Sequence, residues 1–276
     1  EHYMPSFYKD DLPSTKYGAI VSISDKIETL ISIFISGKRP SGSSDPYALR
    51  RNLNGVIKII WDYELDLSLD NLFNELIEFW KISFPNLNFS KEKVLNDLNE
   101  FLVQRIVSHL EEISLSKELI NAVSSSDEFS NKRILNIIDL KNRINSILKF
   151  KEKETFVEIQ KVITRVCKLA NSSNLSTNVL STGDYVNTKL FEKDCEFKVF
   201  EFIKVLEKLF STSSSYYIDL LNLFEDNIKI IEDLFDNDRG VLVMTEDTKI
   251  RNNRLNLLSL IRNYSLKIAD FKLLNS

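Results

Sequence analysis

Four cations crowd one loop of this 276-residue chain. Lys38 and Arg39 precede, and Arg50 and Arg51 follow, the stretch Pro40-Ser41-Gly42-Ser43-Ser44-Asp45-Pro46. Residues 36–58 carry five basic side chains and one acidic one, while the whole chain has a formal net charge of −4. Arg50 and Arg51 fall in the first turn of an expected helix, where the backbone dipole favours anions. Two readings stay open. The exposed amides of that turn and the four cations could hold a phosphate or an acidic protein surface, or the cations could form an ordinary solvated face.

Other residues capable of chemistry are few. The sequence has two histidines, His2 and His109, and two cysteines, Cys167 and Cys195. His109 falls in the middle of an amphipathic helical pattern, where a structural or solvent role is expected. Asp25 stands among isoleucines and serines in another helix. A carboxylate there is a metal ligand or a hydrogen-bonded structural group, and without neighbouring His and Asp the structural reading is favoured. The cysteine spacing matches neither a disulfide framework nor a zinc site, so two reduced, packed thiols are expected, as in a reducing cytoplasm. Neither phosphate-binding glycine loop nor nucleophile elbow occurs. No catalytic set and no metal site are therefore expected within this chain. Towards the C-terminus Arg251 and Arg254 are three apart on one helical face, Lys249 extends that patch, and Arg262 lies further along. Arg165 and Lys168 end an earlier helix, where cations suit the dipole without any ligand.

The elements that must position these residues are all helical. Leu, Ile, Lys, Glu and Asn dominate, and only six Gly and five Pro occur, a composition that favours helices over turn-rich β structure. Ser14 is the expected cap of a first helix with Ile20, Ile23, Ile27, Leu30, Ile31 and Phe34 in one stripe, stopped at Gly37 and Pro40. Asp45 and Pro46 are expected to restart a helix as its cap and first residue, with Leu49, Leu53, Val56, Ile57 and Ile60 buried. Helices are expected from Ser68 to Ile82, from Ser90 past Leu110, from Ser116 to Val123, and over 130–149 and 153–170. Further helices are expected from Asp194 to Phe210 with Phe197, Phe200, Ile203 and Leu206 inward, from Ser214 to Phe235, and from Asp247 to Ala269. Ser124-Ser125-Ser126 reads as a break and residues 171–183 as the clearest loop. No fixed-period repeat is found. No run reaches the ~18–20 uncharged apolar residues of a membrane span, and no secretory signal opens the chain. The charge is uneven: residues 1–62 carry 8 basic and 7 acidic side chains, 63–150 carry 10 and 14, and 151–276 carry 18 and 19. Any contact with nucleic acid must then be local.

Longer runs of residues point to a family. They are His2-Tyr3-Met4-Pro5, Asp10-Asp11-Leu12-Pro13, Asp25-Lys26-Ile27-Glu28-Thr29-Leu30 and the whole segment Gly37 to Arg51, together with Val241-Leu242-Val243-Met244, Arg251-Asn252-Asn253-Arg254-Leu255 and Ile268-Ala269-Asp270-Phe271-Lys272-Leu273-Leu274. In wording and spacing these resemble the beta subunit of bacterial glycyl-tRNA synthetase. The similarity covers the whole chain, most specifically in its first block and weakly over 63–150. Ser44 departs from the pattern, since a lysine is common there.

The resemblance implies an enzyme of alpha and beta subunits, two of each, that joins glycine to its tRNA in the cytoplasm using ATP and magnesium. Adenylate chemistry would belong to the alpha subunit and recognition of glycine tRNA mainly to the beta subunit. The chain, which begins at Glu1 in mid-motif, would be the C-terminal part of that subunit, with no cofactor of its own. Residues 1–62 would end an HD-type helical domain, 63–150 would be a helical connector, and 151–276 an all-α anticodon-binding domain like that of arginyl-tRNA synthetase. Asp25 matches the later Asp of the HD metal set, whose His and His-Asp pair would lie upstream. Within 151–276 the expected tRNA contacts are Arg251 and Arg254, with Lys249 and Lys189. Lys38, Arg39, Arg50 and Arg51 would touch tRNA or another part of the enzyme. Two other functions remain: the remnant of an HD-type metal-dependent phosphohydrolase, and a purely structural module of subunit assembly.

Overall fold

A computed structural model describes residues 1–7, 9–41, 44–124, 136–212 and 217–274. Gly42 and Ser43 of the basic loop, Ser125 and Ser126 of the serine break, and the expected starts of the 130–149 and Ser214 helices lie outside the described residues. The fold is all-α. Among the described residues there are ten α-helices, two single 3-10 turns, and one isolated bridge between Ser41 and Ser44. No helix among them is long and apolar enough to cross a membrane. The chain divides into two compact units, Glu1–Ile120 with Asn131–Lys141 and Asn121–Ser130 with Asn142–Ser276.

The first unit holds α1 (Lys16–Ile35), α2 (Leu49–Tyr63), α3 (Leu69–Ser83) and α4 (Lys91–Glu112). Thr15 caps α1, its hydroxyl accepting the Gly18 amide at 3.0 Å. Ser14, the expected cap, instead gives its amide and hydroxyl to the Glu1 carboxylate. The apolar stripe buries Ile23, Ile27, Leu30, Ile31 and Phe34, whereas Ile20 is 56% exposed. Gly37 then ends α1 with φ +79°, a left-handed residue that L side chains adopt at a cost.

The start of α2 also differs from expectation. Asp45 and Pro46 lie in a turn, and Ala48 at φ 56° immediately precedes the helix. Asp45 still satisfies the open amides, because its carboxylate accepts Leu49 N–H at 2.7 Å and Arg50 N–H at 3.0 Å. Ser68 and Ser90 cap α3 and α4 as their spacing predicts. α4 packs on α1, α2 and α3, across the boundary expected at residue 62.

The helices α5 (Lys117–Ser124) and α6 (Ile137–Lys151) precede α7 (Phe156–Ala170), α8 (Asp194–Thr212), α9 (Tyr217–Asp233) and α10 (Thr248–Leu266). In the second unit α10 packs on α7 and α8, and α9 packs on the same two. Inward residues of α8 are Val199, Phe202, Ile203 and Leu206. Phe197 is instead 46% exposed. It meets Phe191 edge-on at 4.9 Å, outside the helical core.

Polar residues of α10 point into the unit rather than to water. Arg262 donates to the carbonyls of Ala170 and Leu175, Asn263 to those of Ser176 and Val179, Tyr264 to that of Leu180, and Asn253 to that of Asn187. The expected loop after α7 is thus tied down along its length, because buried carbonyls need donors. Cys167 and Cys195 are buried and free, and burial pushes both thiols up.

Candidate nucleic-acid interface

Two of the arginines singled out in the C-terminal helix are built into the unit. Arg254 is 3% exposed. Its Nε donates to Glu196 Oε1 at 2.9 Å, one terminal nitrogen meets Glu192 Oε2 at 2.6 Å, and the other donates to the Leu242 carbonyl at 3.1 Å. Glu196 is itself fully buried and accepts the amides of Glu192 and Lys193. All three guanidinium nitrogens thus have partners within the protein, so the face shared by Arg251 and Arg254 is not one exposed patch. This corrects the expectation of Arg254 as a surface cation: helical spacing placed it correctly, but α8 and the residues after α9 cover it. Arg262 is buried in the same way. Arg251 is half-buried and donates to the Thr245 carbonyl, while Lys189 and Lys249 are exposed.

A different row of cations faces water. Lys161, Arg165 and Lys168 stand at i, i+4 and i+7 on α7, which puts them on one face. All three are exposed, and with Lys272 they line an open depression with Gln160 and Thr164. Lys272 is 3.3 Å from Asp270, its nearest carboxylate. The guanidinium of Arg165 lies 4.3 Å from the centre of the Phe235 ring. Beyond it, Phe235 and Val241-Leu242-Val243-Met244 line an adjoining hollow. That run is not a strand: Leu242 is 72% exposed and Met244 is half-exposed. Cations bordering exposed apolar side chains can meet phosphates while offering surfaces to unpaired bases. Lys161 carried no signal of its own in the sequence, and Lys272 stood out only as part of the run 268–274. Lys272 is brought beside α7 by the chain after α10, a tertiary neighbour that helical period cannot show.

The basic loop of the first unit divides. Arg39 donates through Nε to Asp97 of α4 at 3.1 Å, donates to the Phe34 carbonyl, and covers the Phe34 ring. Lys38 meets the Tyr47 hydroxyl at 2.6 Å. Arg50 and Arg51 instead line a cavity with Asn54, Lys58 and His109. Asp25 is exposed on α1. Among the described residues no three His, Cys, Asp or Glu side chains stand close enough to share a metal ion.

Residues 1–125 match the family model described as the glycyl-tRNA synthetase beta subunit. Over 98% of its length the chain is 35% identical to the glycine–tRNA ligase beta subunit of Acaryochloris marina, 34% to that of Picosynechococcus and 31% to that of Clostridioides difficile. It belongs to the glycine–tRNA ligase beta-subunit family. The matched regions make up 38%, 38% and 36% of those relatives, so the chain spans little more than a third of their length. The similarity to these relatives extends across both units.

Proposed function

We propose that this chain is the tRNA-recognition part of a glycine–tRNA ligase beta subunit, holding glycine tRNA while an alpha subunit carries out ATP- and magnesium-dependent glycylation in the cytoplasm. The exposed row Lys161, Arg165 and Lys168 with Lys272, bordered by Phe235, Leu242 and Met244, carries this reading. In it, the second unit contacts the anticodon stem-loop: the cations meet the backbone and the apolar border takes unpaired bases. Lys189, Lys249 and Arg251 are further contacts, and Arg254 acts by holding α8 and α10 in place. In this reading ATP and magnesium belong to the adenylate chemistry of the alpha subunit, in an assembly of two alpha and two beta subunits.

The test is filter binding of glycine tRNA to the 276-residue chain across a salt series. Changing Lys161, Arg165 and Lys168 together to Gln is expected to weaken binding at least tenfold. The slope of log K against log salt should flatten by about 0.7–0.9 for each phosphate that is no longer neutralised. An unchanged slope in a folded triple variant would remove this face from the reading. If the unmodified chain binds alpha subunit but no tRNA, the chain serves subunit assembly instead.

A further inference from the structure

The cavity in the first unit carries an inference independent of tRNA recognition. It has a volume of about 300 Å³ and lies between the N-terminal segment, α2 and α4. Pro5, Phe7 and Gly55 supply its apolar wall; Arg50, Arg51, Asn54, Lys58 and His109 supply polar groups, and Asp45 and Glu112 complete it. Two features show that its polar groups are not answered from within the protein. His109 is 5% exposed, and its Nε2 has no hydrogen-bond partner; Asn54 Oδ1 is likewise buried without one. Arg105, one turn before His109, has a buried Nε with no partner.

The charges are also out of balance. Burial depresses the Arg105 guanidinium, and the neighbouring Arg50 depresses it further, against the opposing pull of Glu112 and Asp45. Asp45 already serves the amides that open α2. Arg50 and Arg51 stand in that same first turn, at the positive end of the helix, which favours anions over cations. Among the lining side chains, Arg50, Arg51 and Lys58 against Asp45 and Glu112 leave a surplus of one positive charge, and Arg105 stands near enough to interact with Arg50, Asp45 and Glu112. A phosphate monoester carries about −1.5 to −2 at neutral pH and presents three acceptor oxygens. It would be drawn by that surplus and by the amide end of α2, and would accept from His109 Nε2, which otherwise stays unpaired in a partly desolvated site.

We propose that this cavity binds the terminal phosphate of a phosphate monoester, with Arg50, Arg51 and His109 as its donors. Phe7, exposed on the rim, offers an apolar face to whatever the phosphate carries. Such a site explains why half of the basic loop lines a cavity while Arg39 is committed to Asp97.

The chain's two histidines make the test direct. The imidazole resonances of the 276-residue chain are followed by NMR during titration with inorganic phosphate, AMP, and an oligoribonucleotide with or without a 5′-phosphate, at constant ionic strength. A His2→Gln variant assigns the signals. The His109 resonance should shift saturably with phosphate and AMP, and its apparent pKa should rise, while His2 stays still. Arg50→Gln and Arg51→Gln should each weaken the response at least tenfold, with far-UV circular dichroism confirming that the variants are folded. Tighter binding of AMP than of the 5′-phosphorylated RNA identifies a free small ester as the source. The reverse order, lost with the 5′-hydroxyl RNA, identifies an RNA end. No saturable shift with any probe, or one unchanged in folded Arg50→Gln and Arg51→Gln, overturns the proposal. Since this readout needs no tRNA, its failure leaves the reading of the second unit untouched, and the converse holds.

Discussion

Replacing Arg254 separates a tRNA contact from a structural keystone. In Arg254→Met the carboxylate of Glu196 keeps its two backbone amides but is deprived of the guanidinium at 2.9 Å, in a site where Glu196 is fully buried. Leaving one partner of a buried pair uncompensated costs about 3–5 kcal/mol, and the Leu242 carbonyl also loses its donor. Against a total stability of about 5–15 kcal/mol for a domain, that is a large fraction. At about 2–4 °C per kcal/mol for a chain of this size, melting of the second unit should fall by about 6–20 °C. Differential scanning calorimetry and urea unfolding measure it. Glu196→Gln alone should also destabilise, because a neutral amide answers the guanidinium poorly. The double variant should lose less than the sum of the two, with a coupling of about 0.5–3 kcal/mol. Partner Glu192 is 57% exposed and should matter little: Glu192→Gln is expected within about 1 kcal/mol of the parent. If Arg254→Met melts within about 2 °C of the parent, the argument from burial is refuted. If that folded variant also loses tRNA, Arg254 is a contact after all.

Three further outcomes follow from local geometry. Burial holds the His109 imidazole below its ordinary range, so on acidification the denatured chain takes up its proton first. Stability of the first unit should therefore fall as pH drops below about 6.5, and His109→Gln should flatten that part of a melting-temperature profile. Gly240→Ala would set a Cβ 2.4 Å from the Asp236 carbonyl and 2.6 Å from that of Leu234, both backbone atoms. A loss of about 1–3 kcal/mol is expected in urea unfolding, with local rearrangement of the turn before Val241. Asp45→Ala removes the acceptor of two amides at the start of α2 and should cost about 1–2 kcal/mol; Asp45→Asn, which keeps an acceptor, should cost less.

Helix existence was legible because apolar spacing and caps agree at several sites. Ser68 and Ser90 sit where their side chains reach the third amide, and the stripes of α1, α2 and α4 bury nearly as their period requires. Errors fell where local chemistry allows two answers. Ser14 and Thr15 are adjacent potential caps, and the Glu1 carboxylate, 13 residues away, takes Ser14. Asp45 caps from across a turn, not from the residue before the helix. The 3-10 turns Gly183–Tyr185 and Thr188–Leu190 fall at and after the end of the expected loop and leave no periodic trace.

Membership of a family, an all-α fold, and a locally basic loop in an acidic chain were written in residue types and their spacing. Which cations are available was not. Arg254 and Lys168 both occupy helices and both look like surface charges in one dimension. The first is enclosed by Glu192, Glu196 and the Leu242 carbonyl; the second faces water beside Lys272. Likewise Arg39 and Arg50 flank one loop, yet Asp97 of α4 takes the first while the second lines a cavity with His109. An ion pair depends on which distant carboxylate the packing brings within about 3 Å. Spacing along a helix assigns a side chain to a face, but only the neighbouring helices decide whether that face meets a partner, a cavity or solvent.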